Sequence, residues 1–198
     1  MKSKVAGRRP VSFFVSQTRN GIHVTPILFI LGPSGVGKSH VSKQLQKSGF
    51  RYVHIDTDRP TRSFEANGFP SEWDDDFRNV TIAHLVAVLR APIERAGTVV
   101  SFPTVDVFTP DMLDQASELG ATPIVLWGTK EHCIKAAEER IRKKGKSFKR
   151  GRYERLNDPT FLAYGGREYD AFRIEAFRED DSRMTNWWRT SCAERLAN

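Results

Sequence analysis

The sequence predicts one α/β domain over residues 22–198, built as a three-layer sandwich around a mostly parallel sheet, with a basic arm over 1–21 in front of it. Three observations lead to this prediction. Short apolar runs alternate with helical patterns, a glycine-rich loop follows the first strong run, and basic residues gather in one late segment, a lid over about 140–155. Alternating strands and helices favour parallel pairing, because right-handed crossovers return the chain to the same edge of the sheet.

The first strand and helix enclose the strongest motif. The apolar run from Ile27 is followed by Gly-Pro-Ser-Gly-Val-Gly-Lys-Ser, which fits GxxxxGK[ST] between a strand and a helix. Glycines let such a loop turn its N–H groups towards an anion at the positive end of the helix. The alternative is a turn that merely connects the two elements. The residues predicted to bind phosphate are Gly32, Pro33, Ser34, Gly35, Val36, Gly37, Lys38, Ser39 and His40.

Within this loop, two side chains have their own predicted chemistry. Lys38 can reach the β- and γ-phosphates of a nucleotide, and the Ser39 hydroxyl can bind Mg²⁺. The helix that begins near Lys38 is expected to end near Gly49.

The second strand, Tyr52–Ile55, is followed by Asp56-Thr57-Asp58. Ligands lie off the carboxyl ends of parallel strands, so Asp56 could hold Mg²⁺ through water or accept the proton of an attacking hydroxyl. Asp58 could bond a polyhydroxy substrate, and Arg62 follows in the next loop as a second substrate-binding residue. The alternative is that both acids only form a turn before Pro60.

The middle of the chain continues the alternation. A helix is predicted from Ser71, whose capping box includes Asp74, up to Pro92. The remaining predictions are a buried strand over Thr98–Phe102, Thr104 and Asp106 just past its carboxyl end, a helix over Asp111–Leu119 with Pro110 in its first position, and a strand over Pro123–Trp127.

The next helix, from Lys130 to about Lys144, leads into the predicted lid. Residues 140–155 contain nine Lys/Arg and one acid, with Gly145 and Gly151 as flexible points. An arginine brought in by a closing segment can stabilise a phosphoryl group in transfer, and Arg140 is the best placed. The alternative is a solvated basic helix end, which the helix dipole also favours.

After the lid, residues 153–180 have a helical pattern that is interrupted near Asn157–Pro159 and at Gly165-Gly166. The aromatic residues there are expected in the core, and no fifth strand is expected. Trp187-Trp188 could stack bases, although packing onto the domain is the commoner use of such a pair.

Composition limits the class of protein. The 198 residues are 39% hydrophobic, and no apolar run approaches the roughly 20 residues that span a bilayer. The run at Val11–Val15 is too short for a signal peptide, so a cytoplasmic protein is expected. Cys133 and Cys192 are too few for a disulfide framework or a metal knuckle.

The net charge of +7 is local. Residues 1–20 contain five Lys/Arg and no acid, and residues 140–155 are strongly basic, whereas the rest of the chain is acidic overall. This pattern fits a phosphate-binding lid at least as well as a duplex-binding face, so a nucleic-acid partner is the less favoured prediction. No membrane partner is expected.

The octet at Gly32–Ser39 and Asp56-Thr57-Asp58 resemble the shared motifs of the shikimate kinase and gluconate kinase group, over roughly residues 27–158. The stretches SEWDDDF (71–77) and ERIRKKGKSFK (139–149) look more like the gluconate kinases. The glycine-rich motif of the shikimate kinases is absent, since this chain has Ser101-Phe102-Pro103-Thr104 after its third strand. The resemblance implies ATP, Mg²⁺, an adenylate-kinase-like core and a lid that closes over ATP.

The sequence therefore predicts an ATP-dependent phosphotransferase acting on a hydroxyl of a small polar metabolite, for example a sugar acid. Lys38, Asp56 and Arg140 would be catalytic, and Ser39 and Asp56 would bind the metal. Two alternatives stay open: a nucleoside, nucleotide or nucleic-acid-end kinase, and a nucleotide-binding regulatory module without transfer.

Overall fold

The computed structural model describes residues 17–19, 22–55, 80–90, 96–104 and 107–177. The strands are β1 Gln17–Arg19, β2 Ile22–Val24, β3 Ile27–Leu31, β4 Arg51–His54, β5 Thr98–Ser101, β6 Ala121–Trp127 and β7 Arg173–Glu175. The helices are α1 Lys38–Lys47, α2 Ile82–Leu89, α3 Pro110–Glu118, α4 Lys130–Arg142 and α5 Arg150–Tyr164, followed by a 3₁₀ turn at Arg167–Tyr169.

Five of the strands form one parallel sheet in the order β4-β5-β3-β6-β7. The central strand β3 begins with Ile27 opposite Thr98 of β5 and Ala121 of β6. β1 and β2 form a separate antiparallel pair, with Gln17 opposite Val24, so part of the predicted arm is a strand. The prediction of an α/β fold with a parallel sheet is confirmed.

Helices cover both faces of the sheet, which gives the three layers. Along β3, Ile27, Phe29 and Leu31 face one apolar cluster, and Leu28 and Ile30 face the other. α2 and α3 contribute to the first cluster, and α1 and α4 to the second. Because both faces are covered, β3 is a continuous apolar run, as buried parallel strands usually are.

α5 has a different position, because it contributes to both clusters. Tyr153 near its start packs in the cluster of α1 and α4, whereas Tyr164 at its end packs in the cluster of α2 and α3. The helix therefore passes from one layer to the other. Its far end is fixed by Arg173, whose guanidinium donates to the carbonyl oxygens of Tyr164 and Gly165 at 3.2 and 3.0 Å.

Three helix starts follow the local rules of capping. Thr81, Thr109 and Thr129 precede α2, α3 and α4, and each hydroxyl accepts a hydrogen bond from a backbone N–H in the first turn. Pro110 is in the first turn of α3, as predicted.

The middle helix differs from its prediction. A continuous helix from Ser71 to Pro92 is wrong, because Thr81 is extended (φ −68°, ψ 151°) and caps a helix that begins at Ile82. The predicted start at Ser71 lies outside the described residues.

Two predictions for the chain after the predicted lid were also wrong. The parallel sheet has a fifth strand, β7, which pairs with β6 and places Arg173 opposite Val125. It has one apolar residue among three, so it lacks the apolar run that identifies a buried strand. In addition, α5 is not interrupted at 157–159. Pro159 has no N–H to donate to the carbonyl group of Arg155, four residues earlier. Both residues are exposed, so water can satisfy this carbonyl group.

Several predicted residues lie outside the described part of the chain: Asp56, Asp58, Arg62, Asp106 and the pair Trp187-Trp188. Among the helices that the structure describes, none has the length and apolar character needed to cross a lipid bilayer.

Candidate phosphate-binding site

The loop between β3 and α1 fits tightly against β6 and α4. Gly32 and Gly35 have φ values of +125° and +90°. A Cβ atom on Gly32 would lie 2.2 Å from the carbonyl oxygen of Leu126, and one on Gly35 would lie 2.3 Å from that of Cys133. Both neighbours are backbone atoms, which cannot rotate away, so only glycine fits these positions.

The start of α1 is suited to an anion. Gly37 precedes the helix at φ +112°, and no side chain caps its first turn, in contrast to the threonine caps of α2, α3 and α4. The first turn of α1 contains no acidic residue either. The N–H groups at a helix start carry a partial positive charge, so this end can bind a phosphate group.

Lys38 lies within the loop. Its ammonium group donates to the carbonyl oxygens of Gly32 at 2.5 Å and Pro33 at 3.1 Å, and to the hydroxyl of Thr104 at 3.2 Å. Burial, together with the positive charge of Arg140, lowers the pKa of Lys38 from 10.5 to about 7. An anion beside this amine would favour its charged form.

This pKa predicts that nucleotide binding takes up protons. Between pH 7 and 10.5 the unfolded chain binds more protons at Lys38 than the folded one, so the contribution of this group to stability rises with pH across that window. An anionic phosphate raises the pKa again. At pH 8.5, binding of Mg²⁺-ATP should therefore take up close to one proton, and affinity should fall as pH rises further.

Calorimetric titrations in buffers of different ionisation enthalpy measure this uptake. Lys38→Arg is the control, because its guanidinium stays charged throughout the range and has no proton to gain. Equal proton uptake by the wild type and Lys38→Arg would contradict the assignment to Lys38.

A cleft of about 550 Å³ opens beside the loop, within the size range of small-ligand sites. It is lined by Pro33, Ser34, Gly35, Gly37, Lys38, Ser39 and His40 from the loop and α1, and by Ala136, Glu139, Arg140, Lys143 and Lys144 from the end of α4 and beyond. Four cations thus face one carboxylate, that of Glu139, which is paired with Lys143 at 2.7 Å.

Seven of the nine predicted phosphate-binding residues therefore line one cleft, and Arg140, predicted to be catalytic, lines it too. The guanidinium of Arg140 lies 3.4 Å from the Ser34 hydroxyl. Val36 differs, because its side chain is buried in the apolar cluster of α1 and α4, so only its backbone is suited to a phosphate group.

The basic stretch predicted as a lid contains two helix ends. α4 continues to Arg142 and α5 starts at Arg150, so the connection between the helices spans residues 143–149 and is called the basic segment below. Gly145 has φ +69° in its turn, and the ring of Phe148 lies 5.7 Å from that of Tyr153.

Sequence reasoning missed the residues of α5 that contact the loop and Thr104. Tyr153 donates to the Ser34 carbonyl at 2.5 Å, Asn157 accepts from the Ser34 N–H at 2.8 Å, and Thr160 donates to the Thr104 carbonyl at 2.6 Å. The available signal was their spacing, which places them on one helix face. Asn157 was instead interpreted as part of a helix interruption.

The carboxyl ends of β4 and β5 carry a second polar cluster. His54 Nδ1 lies 2.8 Å from the Ser101 hydroxyl, which is 3.1 Å from the Tyr52 hydroxyl. β5 lies between β4 and β3, and the hydroxyl of Thr104, which follows β5, accepts a hydrogen bond from the Lys38 ammonium group. The role of Asp56, which follows β4 in sequence, stays a prediction.

The described residues are compatible with ATP and its metal. The loop glycines at positive φ, the uncapped start of α1 and the exposed Ser39 fit a triphosphate and a Mg²⁺ ligand. No group of three or more His, Cys, Asp or Glu in the described ranges could hold a metal by itself. Among the described residues, the exposed Ser39 hydroxyl is the side chain suited to a Mg²⁺ ligand, and phosphate oxygens usually complete the shell of this ion.

No protein-family model matches the sequence, and neither does any curated protein. Solved structures are similar, and both families of the sequence resemblance are among them. A gluconokinase from Sinorhizobium meliloti 1021 is 15% identical, with 87% of this chain and 90% of that chain covered and a TM-score of 0.48. A shikimate kinase from Bacteroides thetaiotaomicron is 16% identical, with coverages of 86% and 95% and a TM-score of 0.44.

A shikimate kinase from Acinetobacter baumannii, solved in complex with shikimate, is 15% identical, with coverages of 87% and 90% and a TM-score of 0.40. Identities this low, with TM-scores below 0.5, transfer neither activity nor substrate to this chain.

Proposed function

We propose that this chain is an ATP-dependent phosphotransferase that moves the γ-phosphate to a hydroxyl group of a small polar metabolite. The observation that carries the proposal is Lys38. Its ammonium group lies inside a glycine cradle at the start of α1 and beside a cationic cleft. Phosphoryl transfer depends mainly on positioning and on charge stabilisation, which are what such a site supplies.

The loop N–H groups and three side chains of the cleft have separate roles in the proposed reaction. The loop N–H groups and Lys38 hold the phosphates, and the Ser39 hydroxyl is a ligand for Mg²⁺, which neutralises phosphate charge when bound. Arg140, beside Ser34 at the rim, stabilises the charge of the phosphoryl group in transfer. This assignment follows from its position between the loop and the basic segment.

The acceptor side is proposed from the sequence. Asp56 would accept the proton of the attacking hydroxyl, while Asp58 and Arg62 would bind the acceptor. Thr104 supports an acceptor or γ-phosphate position at the end of β5, because its hydroxyl is bonded to the Lys38 ammonium. A polyhydroxy acceptor such as a sugar acid suits this set of carboxylates and arginine.

The decisive experiment incubates the purified full chain with Mg²⁺-ATP and pooled polar metabolites, with sugar acids and nucleosides included. Mass spectrometry follows any metabolite that gains one phosphoryl group while ATP becomes ADP. A phosphorylated metabolite supports the proposal and names the acceptor. Tight binding of ATP with no phosphorylated product from any pool would overturn it and favour a regulatory nucleotide-binding module.

One observation favours nucleic-acid ends as a second class of acceptor. Six exposed cations of residues 140–155 form no ion pair with any residue that the structure describes: Arg142, Lys144, Lys146, Lys149, Arg152 and Arg155. Lys144 of this set lines the phosphate cleft, and a group of cations without ion pairs among the described residues suits a polyanion. If the acceptor is a nucleic acid, binding of short oligonucleotides should fall steeply between low and moderate salt. Weak binding at low salt would remove this candidate.

A further inference from the structure

α5 holds both main-chain polar groups of Ser34 in the phosphate-binding loop. The Tyr153 hydroxyl donates to the Ser34 carbonyl at 2.5 Å, and the Asn157 carboxamide oxygen accepts from the Ser34 N–H at 2.8 Å. Both side chains are buried, with 8% and 3% of their surface exposed. One turn of one helix therefore fixes the orientation of one peptide unit on each side of Ser34.

The two contacting side chains are themselves fixed. The Asn157 amide nitrogen donates to the Tyr153 carbonyl at 2.8 Å, so both ends of the carboxamide are bonded and its orientation is determined. Burial raises the pKa of Tyr153, so its hydroxyl stays protonated and remains a donor. The contact is therefore rigid and fully hydrogen-bonded, as a buried polar contact must be to be stable.

Ser34 is also contacted from the other side of the basic segment. Arg140 in the last turn of α4 places its guanidinium 3.4 Å from the Ser34 hydroxyl, while Tyr153 and Asn157 follow the segment in α5. The chain before the segment and the chain after it thus meet at the same loop residue. A change in the loop affects both ends of the segment.

We propose that Tyr153 and Asn157 are positioning residues that hold the loop in its phosphate-binding conformation and couple nucleotide binding to the order of the basic segment. The proposal rests on the nucleotide binding of the proposed function, and not on phosphoryl transfer. The loop contains three glycines at positive φ, Gly32, Gly35 and Gly37, so its backbone can adopt other conformations at little cost once the contact is lost. If the contact is lost, the binding-competent fraction falls, and the apparent Kd rises by the inverse of that fraction.

The first test compares two tyrosines. Tyr153→Phe removes only the hydroxyl that contacts Ser34, while Tyr169→Phe removes a buried hydroxyl that donates to the Phe108 carbonyl at 3.0 Å, away from the loop. Titration calorimetry of the full chain with Mg²⁺-ATP should give a Kd about five- to tenfold higher for Tyr153→Phe, and near the wild-type value for Tyr169→Phe. An equal effect of both variants, or no effect of Tyr153→Phe, would overturn the proposal.

The second test uses rescue at Asn157. Asn157→Leu loses both hydrogen bonds, whereas Asn157→Asp keeps an oxygen acceptor for the Ser34 N–H. We expect weaker binding in the leucine variant and recovery of most of the affinity in the aspartate variant. Urea denaturation of both variants checks that they are folded. Equal losses in two folded variants would show that Asn157 acts through packing alone and would overturn the positioning role.

The coupling has its own measurement. In the wild type, Mg²⁺-ATP should slow amide hydrogen exchange over residues 143–149, and Tyr153→Phe at saturating ATP should lose most of this protection. Protection that is unchanged in the saturated variant would overturn the coupling.

These measurements need no acceptor, so they separate the two proposals. If the wild type binds Mg²⁺-ATP and the variants bind it more weakly, the positioning role stands even where no metabolite is phosphorylated. If metabolites are phosphorylated but the variants bind like the wild type, the proposed function stands and the positioning role fails. A wild type that does not bind Mg²⁺-ATP overturns both.

Discussion

Lys38→Ala is expected to lower the rate of phosphoryl transfer by about a thousandfold or more, with the fold intact. The ammonium group is the cation that lies inside the loop, bonded to the Gly32 and Pro33 carbonyls and to Thr104. An alanine there leaves the phosphates without this charge at the point where negative charge moves. The measurement is the turnover number with the acceptor that the metabolite screen identifies.

The fold should survive this change, because the buried amine contributes little to stability. Its pKa of about 7 means that the folded protein disfavours the charged form relative to the unfolded chain. Losing it should therefore not lower the free energy of unfolding in urea by more than about 1 kcal/mol. If the site works as proposed, activity and stability therefore separate in this variant.

Lys43→Ala is the matched control for this prediction. Lys43 is an exposed lysine of the same helix, outside the cleft, so the same chemical change should leave turnover near the wild-type value. Near-normal turnover by Lys38→Ala would contradict the assignment of the site. A thousandfold loss in Lys43→Ala would show that the change in charge, and not the position, is responsible.

The loop could be predicted from the sequence because its chemistry is local. The glycines, the lysine and the serine occur at fixed offsets between a strand and a helix. Glycine suits the positive φ angles of the loop, lysine supplies a cation for phosphate, and serine supplies a hydroxyl for Mg²⁺. The strand–helix alternation is equally local, so the parallel sheet could be predicted as well. The threonine and proline positions at the start of α3 follow from the same kind of rule.

The contacts of α5 could not be predicted, because they depend on which parts of the chain meet in space. Asn157 and Ser34 are 123 residues apart, and nothing in either neighbourhood indicates the other. Asn-Asp-Pro is a common helix terminator, so local rules favoured an interruption at 157–159. Tertiary contacts on both sides of Pro159, at Asn157 and Thr160, hold the helix together instead.

Strand order was beyond local rules for the same reason. The sequence places Tyr52–Ile55 next after the loop, yet β5 is the strand that pairs with β3 on that side. This strand order explains why Thr104 contacts Lys38. In the sequence, Asp56 has a predicted catalytic role, whereas Thr104 is noted only for its position after a strand. β7 was missed because an edge strand of three residues needs only one buried face and has no apolar run.

The second large effect is expected from Gly35→Ala, which should abolish most nucleotide binding and destabilise the fold by about 2–4 kcal/mol. Gly35 has φ +90°, and the new Cβ would lie 2.3 Å from the carbonyl oxygen of Cys133 and 3.1 Å from its carbonyl carbon. Those atoms belong to the backbone of α4, so the collision is relieved only if the loop or the helix moves. Either movement opens the cradle that Lys38 and the loop N–H groups form.

Gly120→Ala separates the collision from the cost of the backbone conformation. Gly120 has φ +85°, nearly the same as Gly35, but a Cβ there would have no atom within 4 Å. This control should lose only about 1 kcal/mol, the cost of a left-handed residue, and should bind Mg²⁺-ATP like the wild type. The difference between the two variants in urea denaturation then measures the collision itself. If both variants lost the same stability and both kept ATP binding, the close approach of the loop to α4 would have no role in forming the site.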